Sequence, residues 1–184
     1  MLINHDREKL IQAIIYFAKN TQYCGKIKLF KLLYFLDFEH YKITGRSVTG
    51  LTYSAWKMGP VPTALYEEID SPEPDFALAI SVSEKPTPYG RPMLSFKPNS
   101  AFLGTLFSRR ELKLLEKLAH EYQETKSDDM IEATHLENMP WDQVYNKQGN
   151  KQAVIPYEYA LQINERDDML RLIQERKEMV EALG

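Results

Sequence analysis

Residues 31–66 read KLLYFLDFEHYKITGRSVTGLTYSAWKMGPVPTALY, and this stretch decides the fold. Its first part continues a helix that starts at Lys26. Ile27, Leu29, Phe30, Leu32 to Leu36, Phe38, Tyr41 and Ile43 set apolar or aromatic side chains around most of the circumference. A helix this apolar belongs at the centre of a core. Gly45 supplies the left-handed residue that ends it. Leu51 to Lys57 then alternates as a strand does, with Leu51, Tyr53 and Ala55 on one face and Thr52, Ser54 and Trp56 on the other. Gly59, Pro60 and Pro62 force a corner, and a short helix follows over 63–69.

Two features of this stretch carry charge. Lys28, Lys31, Glu39 and Lys42 fall on one narrow side of the helix at 100° per residue, and with Lys26 they read as a solvated basic face. Asp37 points the other way, beside Phe30, Leu33 and Tyr41. A carboxylate on a buried face needs a cation or several donors, and Lys57, Arg46 and tyrosine hydroxyls are the candidates.

Outward from the centre, 6–19 forms an amphipathic helix through Leu10, Ile14, Ile15, Phe17 and Ala18. Residues 70–75 make an acidic, proline-bearing linker. Residues 76–84 and 93–97 read as an antiparallel strand pair, Leu78, Ile80 and Val82 facing Leu94 and Phe96, joined by the proline-rich loop 85–92. Ser108 and Glu111 spell a capping box before the stripe Leu112, Leu115, Leu118, Ala119 and Tyr122. A shorter helix starts at Ser127 and ends near His135, and Pro140 with Trp141 starts another turn. Asn164 and Asp167 offer caps for a last helix, on which Met169, Leu172, Ile173, Val180 and Leu183 share a side interrupted by Arg176. The expected fold is α+β and mainly helical, with a small antiparallel sheet or hairpin from about 51–57, 76–84 and 93–97. The expected domain spans 1–160, with 161–184 an amphipathic helix packed on it or on a partner.

The 184 residues suit one core, with 43% hydrophobic and 27% charged residues as in ordinary soluble domains. The formal net charge of -3 lacks the basic footprint of a nucleic-acid binder. A single cysteine, Cys24, excludes an internal disulfide framework and a thiolate zinc cluster. The start MLINHDREKL has no apolar region behind a basic one, and no apolar run reaches membrane-spanning length. A cytoplasmic location is therefore expected, with no membrane partner.

Catalytic signatures are sparse. His135 and Glu137 give half of a zinc-deaminase motif, but the cysteine half is missing. Asp37 and His40 lie three apart on one helix and form an acid/base candidate; with no nucleophile beside them, a structural network is the better reading. No catalytic, cofactor-binding or metal-binding residues are assigned, and no enzyme is expected. Tyr53, Trp56, Lys57 and Tyr66 cluster around the Gly-Pro corner, a composition found at protein-binding hot spots.

The stretch also resembles the Panacea domain family, the SocA-like antitoxins of bacteria and phages. The family pattern is met by Lys31 to Tyr34, Asp37, Gly45, Ala55, Gly59 to Val61, and Leu65 with Tyr66. A second block agrees in Thr134, His135, Pro140 and Trp141. The resemblance covers roughly 6–160. It implies a mainly helical α+β domain and an antitoxin that binds a cognate toxin as a hetero-oligomer, or an adaptor that delivers the toxin to a protease. It carries Lys31, Tyr34, Asp37, Gly45, Gly59, Pro60, His135 and Trp141 as a family signature, with His40 beside them as a structural residue.

Overall fold

The computed structural model of the protein describes residues 5–88, 90–136, 139–161 and 163–183. Helix α1 (Asp6–Asn20) is followed by α2 (Lys26–Thr44), the axis of the fold. Leu29, Leu32, Leu33, Tyr34, Leu36 and Asp37 of α2 are wholly buried. A helix covered on all sides needs neighbours on all sides, and α2 has them. It packs against α1, α5 (Arg109–Glu121) and α6 (Ser127–Thr134), and against strand β2 (Gly59–Pro62). Gly45 ends the helix at φ +69 and returns its N–H to Tyr41, as expected.

The fold is mainly helical α+β, with two antiparallel two-stranded sheets among the described residues. In the first, β1 (Tyr53–Trp56) turns through Lys57 and Met58 directly into β2. The Gly-Pro-Val-Pro run is thus a strand, not the expected corner. The register explains how two prolines fit. Tyr53 faces Pro62 and Ala55 faces Pro60, so the prolines occupy the pairs that exchange no hydrogen bonds. Tyr53 and Ala55 spend their backbone groups on the opposite edge. There Ala55 N–H donates to Ala153, and its carbonyl accepts from Gln152. Ile155 N–H donates to Tyr53, all at 2.8 Å.

Helices α3 (Thr63–Glu68) and α4 (Pro74–Ala79) follow. The second sheet pairs β3 (Ile80–Lys85) with β4 (Met93–Pro98), from Ile80 opposite Pro98 to Lys85 opposite Met93. The expected strand from residue 76 therefore starts four residues later. Pro74 at the first turn of α4 is pre-set for a helix, so 74–75 are not linker. Phe76 turns inward, while Leu78 is 80% exposed rather than aligned with Ile80.

Helix α5 carries the reciprocal capping box: Glu111 N–H donates to Ser108 Oγ, and Ser108 N–H to Glu111 Oε2. A short turn, α7 (Pro140–Asp142), leads through 143–147 to the 3-10 turn Tyr157–Ala160. Helix α8 (Ile163–Leu183) lies over the end of α2. It starts before both expected caps, and the Asn164 side chain is outside the described residues. Its Arg176 does not interrupt the contact side. The guanidinium donates to the Thr44 carbonyl, and Ile173 lies so close to Gly45 that a Cβ there would meet its Cγ1 at 2.6 Å.

Gly45 is therefore fixed twice, by its left-handed backbone and by α8. Replacing it with alanine should lower stability by about 1–2 kcal/mol from backbone strain alone. Ile173→Ala should recover part of that loss, because it vacates the space the new methyl needs; denaturant unfolding of the single and double variants measures both effects.

Candidate functional site

Lys31, Tyr34, Asp37, Gly59, Pro60, His135 and Trp141 meet where α2, the β1–β2 hairpin, α6 and α7 come together, while Gly45 lies apart at the end of α2. Asp37 is wholly buried and receives four donors. Val48 and Thr49 N–H groups both donate to Oδ1 at 2.8 Å. The hydroxyls of Thr49 (2.5 Å) and Tyr53 (2.7 Å) donate to Oδ2. Of the expected partners only a tyrosine hydroxyl is used; no hydrogen bond or ion pair joins Arg46 or Lys57 to Asp37. Burial pushes the Asp37 carboxyl up to about 6, and the four donors hold back a larger rise. The same burial, reinforced by the Asp37 charge, drives the Tyr53 hydroxyl well above its ordinary range.

His40 does not join Asp37. Its Nδ1 donates to the Arg46 carbonyl at 2.7 Å and Thr44 Oγ1 lies 3.2 Å away, so the ring braces the turn around Gly45. The helical spacing of three brings the two residues near, but each is committed to a different segment of the 45–53 loop.

The expected basic face is not solvated. Lys28 and Lys31 are buried. The Lys28 ammonium donates to the carbonyls of Gln22 and Thr125, both at 2.7 Å, and of Gln123 at 3.2 Å. Lys26 lies over the Tyr66 ring, 4.1 Å from its centroid. The three lysines thus form neither a solvated face nor a phosphate-binding patch.

Lys31 reaches the hairpin and donates to the Pro60 carbonyl at 2.8 Å. Gly59 sits above it at φ +96. A Cβ there would meet Lys31 Nζ at 2.9 Å and Thr134 Oγ1 at 2.7 Å, so the position requires glycine for space and for backbone. Burial lowers the Lys31 ammonium to about 7. The second signature block closes from the other side. Trp141 Nε1 donates to the Trp56 carbonyl at 2.8 Å, while the His135 ring stacks on Trp141 at 3.7 Å. His135 is held below its ordinary range by burial first and by the Lys31 charge second. Tyr34 packs edge-on to Tyr53 at 5.6 Å with its hydroxyl buried beside the Trp141 backbone, and His135 Nε2 is buried with no hydrogen-bond partner among the described residues. Glu137, the other half of the deaminase-like pair, lies outside the described residues.

The four corner residues divide. Tyr53 is 1% exposed and its hydroxyl serves Asp37. Trp56 and Tyr66 pack together at 5.1 Å and are half-buried, and Lys57 projects at the turn. Among the described residues no three His, Cys, Asp or Glu side chains gather as a metal site would need, and no helix is long and apolar enough to cross a membrane.

Sequence pattern alone does not reveal a broad groove of about 1160 Å³ along α2. Its floor is Tyr34, Phe35 and Phe38, and Ile43 and Leu136 stand at its edges. The traces in the sequence are Ile43 and Leu136 themselves, apolar residues next to a helix end, which the structure leaves 58% and 59% exposed.

A central helix clamped to a proline-bearing hairpin by a buried carboxylate and a buried lysine defines a mainly helical α+β scaffold of one kind. The chain belongs to the family described as antitoxin SocA-like, Panacea domain, which matches residues 29–142. No curated protein and no solved structure matches it.

Two changes probe the clamp. Asp37→Ala strands four donors and should cost about 3 kcal/mol or more, read by chemical unfolding. For Lys31 the sign follows from its lowered folded pKa: above pH 7 the unfolded chain binds a proton that the folded one has released, so stability rises with pH. Wild type should gain about 2 kcal/mol over Lys31→Met between pH 7 and pH 9, read from unfolding curves at each pH.

Proposed function

We propose that this chain is a cytoplasmic antitoxin that neutralises a cognate toxin by binding it directly, as a hetero-oligomer and without catalysis. The observation that carries this reading is the family match over 29–142, which takes in most of α2, both sheets, α5, α6 and α7. The clamp residues support it in a particular way. Asp37, Lys31, Gly59 and Trp141 are spent on holding the scaffold, which leaves recognition to the surface. Trp56, Lys57 and Tyr66 at the hairpin are one contact patch in this reading, with Tyr53 supporting them from beneath. Residues 1–160 form the neutralising domain and 161–184 an arm.

A stable complex of this kind buries roughly 1,200–2,000 Å². Co-expression with the product of the neighbouring reading frame should restore growth that the product alone arrests, and the two chains should co-purify. Continued arrest with no complex would rule the reading out.

Helix α8 favours a second reading, a proteolytic adaptor, because it lies outside the matched residues and runs on past the domain. Removing 168–184, which keeps Arg166, should then preserve toxin binding while toxin half-life in the cell lengthens. Unchanged turnover would leave occlusion as the mechanism.

A further inference from the structure

The groove along α2 is built for a polypeptide. Its volume of about 1160 Å³ exceeds the roughly 300–1,000 Å³ of ordinary small-molecule sites. From Tyr34 on the floor to Ile43 at the edge the groove follows ten residues of helix, about 14 Å at 1.5 Å per residue. It is aromatic and continuous: Tyr34 lies 4.4 Å from Phe38, and Phe35 stacks on Tyr122 at 5.3 Å. Ile43 and Leu136 are more than half exposed on its edges, where an unoccupied surface would favour polar residues.

The chemistry of the walls selects the occupant. The lining residues belong to helices and helical turns, with no strand among them. An extended peptide would find no sheet edge to extend, whereas the apolar side of a helix can lie in such a groove. Among the described residues the rim carries Lys42, Lys117, Lys147 and Arg166 against two carboxylates, Glu39 and Glu158. Glu39 and Lys117 pair with each other at 2.8 Å, and Glu158 accepts from the Tyr41 hydroxyl. The rim is thus basic on a chain whose formal net charge is -3.

We propose that this groove receives an acidic amphipathic helix of the toxin, two to three turns long. The proposal rests on the antitoxin reading and deepens it by naming the surface and the shape of what it grips. Apolar side chains of the occupant fill the floor between Ile43 and Leu136, and its carboxylates meet Lys42 and Arg166.

The test uses the full chain with the toxin encoded beside it, and titration calorimetry at two salt concentrations. Leu136→Asp and Ile43→Asp change exposed positions and should leave the melting temperature near wild type. Each should weaken toxin binding by about tenfold or more, as loss of a central apolar contact does. Lys42→Glu with Arg166→Glu should weaken binding and flatten its salt dependence. Leu78→Asp, an equally drastic change on an exposed residue away from the groove, should bind as wild type does. Groove variants that fold and bind with wild-type affinity overturn the groove while leaving the antitoxin reading intact. A wild-type chain that neither binds nor neutralises the toxin overturns both.

Discussion

The structure depends on one buried carboxylate. Asp37 sits on the most enclosed helix of the fold and collects donors from three positions spread over 48–53. A single charge removed from water requires every lone pair to be met, and here the donors come from the segment that carries the chain from α2 into the hairpin. That geometry fixes where β1 begins, and with it which residues of β1 face the core. Lys31 then takes hold of the hairpin one turn and a half earlier along the same helix. Among the described residues it pairs with no carboxylate and donates to the Pro60 carbonyl. The acid and the base are therefore not a pair; each is bound to neutral backbone and hydroxyl groups on a separate part of the hairpin.

The two sequence blocks that mark the family are brought together in space for the same reason. The first supplies α2 and the hairpin, and the second supplies Thr134, His135 and Trp141, which close over the hairpin from the opposite side. Trp141 holds Trp56 by its carbonyl and Thr134 fills the space that Gly59 leaves open. These contacts lock the scaffold.

What the sequence makes legible follows the range of the interactions. The α2 helix, the Gly45 end and the Ser108–Glu111 box depend on neighbours within four residues, and pattern reads them directly. The hairpin is harder, because Pro60 and Pro62 are tolerated only in the register where Tyr53 and Ala55 turn their backbone groups towards 152–155, a pairing a hundred residues away. Lys28 and Lys31 share a helix side as spacing predicts, but that side is covered by the 22–25 and 123–125 loops and by β2. At 74–79, alternation suggests a strand through Leu78, while Pro74 at a helix start is the stronger local signal. The groove has no pattern at all; it is the space left between elements remote in sequence.

The first sheet is sealed along both long edges. On one side β1 is occupied by 152–155, and on the other β2 presents Pro60 and Pro62 at the outward positions, where neither has an N–H to offer an incoming strand. A second copy of the chain therefore finds no donor row on which to add itself. The two prolines that allow the hairpin to exist also keep this sheet from growing, so the chain can be abundant without polymerising through it.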